Sequence, residues 1–291
     1  MAIFRVQVDG AVRLAVGDPT GGPSGLLDPS ITVDGLLAQG AQRLAEVGLA
    51  EVDQQGSDAV VPPGASVLAP VESQEIWAAG VTYLRSRIAR GEESRNSDPY
   101  DLVYDADRPE LFMKCAPGRV RGPGQSVGIR RDSTWDVPEP ELTLVFDAHG
   151  QIAAFTIGND VSSRSIEGEN TLYLPQAKTF TASGAVGPCL ALPEEVGDPT
   201  ALSIRLVIER AGDTIVDERT STGEMRRGLD DLGRWLFAAN EFPCGVLLMT
   251  GTGIVPHDDV TLMAGDVVHI SIDGLGTLTN PVEAVGRPGG S

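Results

Sequence analysis

Apolar and polar side chains alternate at the start of the chain, and this pattern predicts a β-hairpin. The alternation runs through residues 4–8 and again through residues 12–16. Between the two runs stands Asp9-Gly10, a dipeptide typical of two-residue hairpin turns. The chain is therefore expected to begin with two antiparallel strands.

A helix is predicted after this hairpin. Asp34 is placed to cap its first turn, and apolar residues recur at helical spacing as far as Val47. Residues 52–66 are then mostly polar and contain prolines and glycine, a composition typical of a linker. We interpret residues 1–65 as a small N-terminal α/β module and residues 70–291 as a second, larger domain.

The second domain consists mostly of strand patterns joined by turns. Only residues 83–94 and 228–240 have the periodicity of helices. The chain contains 35 glycines and 20 prolines, as many short connections require. The predicted fold class is therefore mostly β (α+β). Strand patterns occur at residues 75–81, 111–115, 127–131, 141–146, 151–158, 203–209, 214–217, 245–250 and 266–272.

The charge balance of the chain disfavours some classes of binding partner. The 291 residues carry 41 acidic and 22 basic side chains, a formal net charge of -19. This disfavours nucleic acids and anionic membrane surfaces, because both require basic side chains. No apolar run approaches the ~18 residues that span a bilayer, and the N-terminus lacks the layout of a signal peptide. The three cysteines suit neither a disulfide framework nor a zinc site, so we expect a cytoplasmic protein.

Three carboxylates are predicted to share one face of a hairpin. In a strand over residues 139–146, Glu139 and Glu141 point to the same side. If the following turn centres between residues 149 and 150, Asp160 lies opposite Glu139 and joins the two glutamates. A register change of one residue would instead turn Asp160 to the other face.

Such a cluster favours a metal ion. Clustered carboxylates raise one another's pKa unless positive charge lies among them. Oxygen-only ligands suit a hard cation such as Mg²⁺ or Mn²⁺, with coordination positions left for substrate and water. Calcium suits a catalytic role less well, and a cluster without histidine or cysteine disfavours zinc. The alternative is that these acids are solvated on an exposed sheet face.

Five short motifs resemble the fumarylacetoacetate hydrolase family and occur in that family's order. Together they cover roughly residues 70–285. Each motif is weak by itself, but their order makes the resemblance specific. The motifs are Glu139-Pro140-Glu141-Leu142, Gly158-Asn159-Asp160-Val161-Ser162-Ser163-Arg164, Gln176-Ala177-Lys178, Thr250-Gly251-Thr252-Gly253-Ile254-Val255-Pro256, and Gly265-Asp266-Val267-Val268 with Gly274-Leu275-Gly276-Thr277-Leu278.

The resemblance implies a mixed β-roll catalytic domain that assembles as a homodimer or homotetramer. It also implies Mg²⁺ or Mn²⁺ held by two glutamates and an aspartate, which correspond to Glu139, Glu141 and Asp160. Members of this family act on 2-oxo acids, so the expected partner is a small-molecule 2-oxo acid.

Further motifs, at residues 80–87, 104–112 and 165–178, resemble the family's dehydratases of 2-oxo-3-deoxy sugar acids. They imply that 2-keto-3-deoxy-D-arabinonate gives 2,5-dioxopentanoate through a metal-stabilised enolate. The family's hydrolases carry a His and a Glu where this chain has Ser86 and Ala89. Because neither residue is a general base near neutral pH, elimination is favoured over water-driven cleavage.

Two alternatives to this activity stay open. The first is a family hydrolase or decarboxylase that cleaves a carbon–carbon bond of an acylpyruvate-like 2-oxo acid. The second is a binding protein that has lost activity, although the retained acidic ligands and Lys178 argue against it.

The resemblance also directs attention to the two lysines of the chain, which stand against 20 arginines. Lys178 lies in a family motif and is the expected general base, since a partly desolvated lysine beside a cation loses its proton readily. The alternative is that Lys178 only balances the charge of the acids. Lys114 is either a structural ion-pair partner or a second catalytic group. Glu110 shares the predicted strand face of Lys114 and is a candidate acid–base partner.

Five further residues are candidate substrate-binding groups. Arg164 has a planar guanidinium that suits a carboxylate. Thr252 lies in a glycine-rich turn, where backbone and hydroxyl groups approach a ligand closely. Ser162 follows the predicted metal ligands on the same loop, and Ser86 and Arg85 lie on the predicted helix at residues 83–94. For each of them a structural or surface role is the alternative.

Overall fold

The computed structural model describes residues 1–54, 60–86, 98–257 and 259–287, and the fold is mostly β. The α-helices are α1 (Val33–Gln39), α2 (Ala41–Gln54), α3 (Asp98–Asp105), α4 (Arg164–Glu169), α5 (Leu174–Lys178), α6 (Pro193–Val196) and α7 (Leu229–Leu236). The β-strands are β1 (Ala2–Val8), β2 (Ala11–Asp18), β3 (Gly22–Leu26), β4 (Ser66–Leu68), β5 (Ile76–Gly80), β6 (Glu110–Cys115), β7 (Val127–Arg130), β8 (Asp136–Val137), β9 (Pro140–Phe146), β10 (Ile152–Asp160), β11 (Ser162–Ser163), β12 (Gly184–Ala191), β13 (Ser203–Arg210), β14 (Asp213–Ser221), β15 (Val246–Met249), β16 (Val267–Ile272) and β17 (Gly276–Val285).

Ten strands form one large mixed sheet. Its order is β3-β2-β1-β12-β10-β9-β15-β5-β6, and β4 also pairs with β1. Strands β15 and β5 are parallel, whereas the other neighbours in this sheet are antiparallel. Five more strands form a second sheet in the order β14-β13-β16-β17-β7, and β8 pairs with β11. The central position of β9 and β10 places their side chains deep in the protein.

Both faces of the large sheet are covered. On one face, Leu142 of β9 belongs to a buried cluster that also contains Leu206 and Ile270 of the five-stranded sheet. On the other face, α1 and α2 contribute Leu37 and Leu44 to a second buried cluster. Water is therefore kept from the centre of β9, so polar groups there must find partners within the protein.

The N-terminal hairpin has the predicted form. Asp9 and Gly10 have φ values of 50° and 80°, as a two-residue turn with two left-handed positions requires. The first strand of the hairpin also pairs with β12, so the hairpin extends the large sheet. The division into residues 1–65 and 70–291 stays a prediction.

The helix after the hairpin begins at a different cap from the predicted one. The hydroxyl of Thr32, not the carboxylate of Asp34, accepts a hydrogen bond from the first turn at 3.0 Å. Asp34 instead accepts hydrogen bonds from the N–H of Ser73 and the side chain of Gln74. The prediction of one continuous helix is also wrong, because Gly40, with φ of 105°, separates α1 from α2.

All nine strands predicted in the second domain are present, but the patterns miss two long ones. Strand β12 lies inside the large sheet and is buried on both faces, so its sequence shows no alternation. Strand β17 contains Pro281, a residue that argues against a strand when only the sequence is read.

Of the two helices predicted in the second domain, the later one is α7. In the earlier one, residues 84–86 are helical, and residues 87–94 lie outside the described residues. Among the described residues, no helix has both the length and the apolar composition needed to cross a membrane.

The short pair of β8 and β11 buries a carboxyl group, that of Asp136. Burial raises the pKa of Asp136 from its ordinary value of 3.8 to about 6. Among the described residues its Oδ1 atom has no hydrogen-bond partner. The ionised carboxylate is therefore less favourable in the folded protein than in the unfolded chain.

We expect Asp136→Asn to raise the melting temperature above about pH 6 and to have little effect near pH 4. As the pH rises from about 4 to about 6, the unfolded chain releases the Asp136 proton first, so wild-type stability declines over this range. The stability of the Asp136→Asn protein lacks this pH dependence, because its side-chain amide does not titrate. Thermal unfolding of both proteins across this pH range measures the difference, and an equal effect at both ends would contradict the explanation.

Candidate metal centre

The hairpin of β9 and β10 brings the three acidic residues to one face. Glu141 pairs with Gly158, as the predicted register requires. The N–H of Asp160 donates to the backbone oxygen of Glu139 at 2.9 Å, so these two residues also lie opposite each other. Opposed residues of an antiparallel pair share a face, and the three carboxylates therefore converge.

The register beside the turn differs from the prediction. The N–H of Asp147 donates to the backbone oxygen of Gln151 at 2.9 Å, so the turn centres on His149 rather than half a residue later. If this register continued along the whole hairpin, the side chain of Asp160 would point to the opposite face of the sheet. An irregularity at residues 152–154 shifts the pairing by one residue and returns Asp160 to the carboxylate face.

The three carboxylates are close together and buried. One oxygen from each of Glu139, Glu141 and Asp160 lies within 4.8 Å of the others. The residues are 4%, 1% and 1% exposed, respectively, so they are not solvated on an open sheet face. In the part of the chain that the structure describes, this is the only group of three or more acidic, histidine or cysteine side chains with such spacing.

The two lysines of the chain bind the two oxygens of one carboxylate. The Nζ atom of Lys114 lies 2.6 Å from Oδ1 of Asp160, and that of Lys178 lies 3.1 Å from Oδ2. Lys178 also donates to Oε2 of Glu139 at 2.9 Å and to the hydroxyl of Ser162 at 2.6 Å. Lys178 therefore balances the charge of two acids, and its role as a base stays a prediction.

Lys114 is completely enclosed. Its ammonium group also donates to the carbonyl oxygens of Val161, at 2.8 Å, and of Lys178. Burial lowers the pKa of Lys114, the charge of Asp160 opposes this effect, and the charge of Lys178 adds to it. Because each of its three protons has an acceptor, the geometry favours the structural alternative for Lys114.

Arg164 supplies a third positive charge. Its Nη2 atom lies 3.3 Å from Oε1 of Glu139, and the side chain is buried. The residue begins helix α4, whose N-cap is Ser163; the Ser163 hydroxyl accepts a hydrogen bond from the N–H of Ile166. The helix start thus holds the guanidinium against the hairpin, and Glu139 contacts two cations.

Glu141 is held by the main chain. Its Oε2 atom accepts a hydrogen bond from the N–H of Gly251 at 2.6 Å, in the turn after β15. Burial raises the pKa of Glu141 well above 4.5, and the charges of Asp160 and Glu139 raise it further. A divalent cation among the three carboxylates would favour the ionised form again. Since the ligand atoms are all hard oxygens, the residues present fit Mg²⁺ or Mn²⁺.

A pocket lies beside the carboxylates and contains both candidate acid–base residues, Glu110 and Lys178. The carboxylate of Glu110 approaches Gly80 so closely that a Cβ there would lie 1.9 Å from Oε2, so a larger residue at position 80 would require Glu110 to move. The other side chains around this pocket include Ser86, Phe112, Glu139, Asp160, Glu167, Leu174 and Thr252.

Two of the five candidate substrate-binding residues line this pocket, Ser86 and Thr252. The hydroxyl of Ser86 donates to the backbone oxygen of Thr252. Ser162 and Arg164 contact the acidic cluster instead, and Arg85 is exposed. Their roles toward a substrate stay predictions, and position 89 lies outside the described residues.

Sequence reasoning misses the contribution of Gly251. Its residue type indicates a turn, but its contact with Glu141 is made by a backbone N–H. A main-chain donor has no side-chain signature, so only the folded structure reveals it.

Residues 76–283 match the family described as fumarylacetoacetate (FAA) hydrolase C-terminal. The chain belongs to the fumarylacetoacetate hydrolase family. The match includes the carboxylate hairpin, both lysines and the turn at Gly251, and it confirms the resemblance inferred from the motifs.

Two relatives in this family are dehydratases. The chain is 51% identical over 228 residues to the probable 2-keto-3-deoxyxylonate dehydratase of Haloferax volcanii, which is 78% of each protein. It is 40% identical over 218 residues to the 2-dehydro-3-deoxy-D-arabinonate dehydratase of Saccharolobus solfataricus, covering 74% of this chain and 73% of that protein.

One solved structure has the same fold as the present chain. It is 2-keto-3-deoxy-D-arabinonate dehydratase complexed with magnesium and 2,5-dioxopentanoate. The TM-score is 0.83 at 32% identity, over 99% of this chain and 100% of that chain. The fold class predicted from the sequence, mostly β of the fumarylacetoacetate hydrolase type, is confirmed.

We expect Glu141→Gln to raise the melting temperature at about pH 8 in EDTA and to change it little near pH 4, below the ordinary pKa of 4.5. Because the pKa of Glu141 is raised in the folded protein, the wild-type protein loses stability as the pH rises from about 4.5 toward that raised pKa, whereas glutamine does not titrate. Differential scanning fluorimetry at the two pH values measures the effect.

The matched control is Glu139→Gln. It should lower the melting temperature at about pH 8, because it removes the carboxylate that Lys178 and Arg164 share. A lower melting temperature for Glu141→Gln under the same conditions would show that the repulsion argument is incorrect.

Proposed function

We propose that this chain is a Mg²⁺-dependent dehydratase that converts 2-keto-3-deoxy-D-arabinonate into 2,5-dioxopentanoate and water. The observation that carries the proposal is the buried cluster of Glu139, Glu141 and Asp160 with Lys178 in contact. It is supported by 40% identity to a relative named for the arabinonate reaction and by a structural neighbour that holds magnesium and 2,5-dioxopentanoate.

The arabinonate and xylonate names of the two relatives are compatible with a single substrate. In a 2-oxo-3-deoxy acid, C2 is a carbonyl carbon and C3 is a methylene, so neither is a stereocentre. Arabinonate and xylonate of the D series differ only at C2 and C3, and their 2-keto-3-deoxy derivatives are therefore identical. The configuration at C4 is the stereochemical feature that the pocket has to recognise.

Glu139, Glu141 and Asp160 would hold the metal ion. When bound, Mg²⁺ would polarise the 2-oxo group of the substrate and make the protons on C3 more acidic. Arg164 and Lys114 hold Glu139 and Asp160 through ion pairs, so the orientation of these carboxylates is set before a ligand arrives.

Lys178 is the base that we assign to the C3 proton. It lines the pocket, and its Nζ atom is held by Glu139, Asp160 and Ser162. A lysine whose neighbouring carboxylates are neutralised by a bound cation can lose its proton, whereas an arginine cannot. This difference gives a reason for lysine at this position in a chain that otherwise uses arginine.

Loss of the C4 hydroxyl would complete the elimination. Glu110 lines the same pocket and would protonate the departing hydroxyl, which leaves as water. A proton then moves from C5 to C3, and the resulting enol becomes the C5 aldehyde when C4 gains a proton. The sum is the loss of one water molecule, with no external oxidant.

Hydrolysis or decarboxylation of an acylpyruvate-like 2-oxo acid is the alternative. Hydrolysis needs a base that activates water, and no histidine is present among the described residues that line the pocket. Ser86, where the family's hydrolases have histidine, directs its hydroxyl to the backbone of Thr252. Elimination needs no activated water and is therefore favoured. Assembly as a homodimer or homotetramer and a cytoplasmic location stay predictions.

The purified protein with Mg²⁺ is expected to convert 2-keto-3-deoxy-D-arabinonate into an aldehyde product, and EDTA should abolish the reaction. The C4 epimer is the matched control substrate, and the product is identified by mass spectrometry as 2,5-dioxopentanoate. Two acid products from an acylpyruvate, with no aldehyde from the sugar acid, would favour the hydrolase. Absence of both Mg²⁺ binding and turnover would favour a binding protein.

We expect Lys178→Arg to keep the fold and to lower kcat by about 10²- to 10⁴-fold, the usual contribution of a general base. Circular dichroism checks the fold, and steady-state kinetics give kcat. Lys114→Arg differs, because the ammonium group of Lys114 is completely buried among its three acceptors, whereas Lys178 lines the pocket. A guanidinium is larger than an ammonium group, so we expect the interior to accommodate it less well at position 114. That variant should mainly lower the melting temperature. Undiminished kcat in Lys178→Arg would exclude the assigned base.

A further inference from the structure

One peptide group joins a buried threonine to Glu141. The N–H of Gly251 donates to Oε2 of Glu141 at 2.6 Å. The carbonyl of the same peptide, contributed by Thr250, accepts a hydrogen bond from the hydroxyl of Thr82 at 2.6 Å. We propose that Thr82 is a positioning residue that orients this peptide and, through it, the Glu141 carboxylate for metal binding. The inference rests on the proposed function, since it assumes that Glu141 is a metal ligand.

The peptide transmits orientation because it is planar. The Thr250–Gly251 bond is trans, so its C=O and N–H groups point in opposite directions within one rigid plane. A hydroxyl that holds the carbonyl direction therefore also holds the direction of the N–H. The two hydrogen bonds polarise the same amide and strengthen each other.

Gly251 is the residue type that permits this approach. Its φ of +91° lies in the left-handed region, where other residues are strained. A Cβ at this position would lie 2.0 Å from the hydroxyl oxygen of Thr82. The glycine therefore serves the contact with Thr82 as well as the turn.

The turn is also tied to β9, but through different atoms. The N–H and the hydroxyl of Thr250 both donate to the carbonyl oxygen of Leu142, at 3.0 Å and 2.9 Å. These bonds place the start of the turn beside Glu141, and the Thr82 hydroxyl sets the rotation of the peptide that follows. The backbone of Thr82 is itself held, because its carbonyl oxygen accepts a hydrogen bond from the N–H of Arg226 at 2.9 Å.

Burial makes the hydroxyl hard to replace. Thr82 and Thr250 are 0% exposed and Glu141 is 1% exposed, so bulk water does not compete for these groups. Without the hydroxyl, the carbonyl of Thr250 would lose this partner in the interior, and the peptide could rotate away from Glu141 to recover one.

Thr143 offers a matched control. It is also a fully buried threonine, and it lies two residues from Glu141 on the same strand. Among the described residues its hydroxyl has no hydrogen-bond partner. Thr143→Val therefore repeats the chemical change of Thr82→Val beside the same ligand without removing a hydrogen bond.

Isothermal titration of Mg²⁺ into EDTA-treated, dialysed protein tests the inference, with thermal unfolding as the check on folding. We expect Thr82→Val to weaken Mg²⁺ binding about 10- to 100-fold, the usual effect of removing a group that orients a metal ligand. Thr82→Ser, which keeps the hydroxyl, and Thr143→Val should both bind Mg²⁺ within about threefold of the wild-type protein. If Thr82→Val does not fold, the smaller Thr82→Ala takes its place.

Unchanged Mg²⁺ affinity in a folded Thr82→Val or Thr82→Ala protein would overturn the positioning role. An equal loss in Thr143→Val would also overturn it, because packing alone would then explain the effect. Failure of the wild-type protein to bind Mg²⁺ would instead overturn the proposed function, so the two failures are distinguishable.

Discussion

Mutual repulsion among three buried carboxylates governs the arrangement of this site. One oxygen from each lies within 4.8 Å of the others, and burial reduces the screening of their charges by bulk water. Glu139 and Asp160 each contact two cationic side chains, which offset the repulsion locally. Glu141 relies on the N–H of Gly251, and its pKa is raised in consequence of burial and its charged neighbours. The charge and oxygen chemistry of a divalent cation match what this cluster lacks.

The same constraint explains where the two lysines of the chain occur. Both contact the carboxylate oxygens of Asp160. The other basic residues of the chain are 20 arginines, whose cationic group is larger. An ammonium group is compact and has three donors, which Lys114 satisfies with one carboxylate and two carbonyl oxygens. A guanidinium is planar, carries five donors and needs more space than an ammonium group. Arg164 carries such a group at the start of α4.

The prediction of the carboxylate hairpin was correct partly because two differences cancel. Two glutamates at alternate positions must share a face of any strand, so that part of the site follows from residue spacing alone. The position of Asp160 depends on register, and the assumed turn centre was incorrect by half a residue. The irregularity at residues 152–154 cancels that difference. Bulges have little sequence signature, and neither does the double-sided burial that hides β12 from pattern analysis.

By itself, the sequence determined the family, the mostly β fold class and the acidic strand, because motif order and period-two alternation are local properties. Only the tertiary structure decided which distant groups support those acids. Gly251 lies 110 residues from Glu141, and Thr82 lies 168 residues from Thr250, yet one peptide group connects them. Such contacts depend on how whole strands and turns pack against each other. Their donors are a backbone N–H and a buried hydroxyl, groups that occur throughout any sequence and acquire a specific role only from their position in the fold.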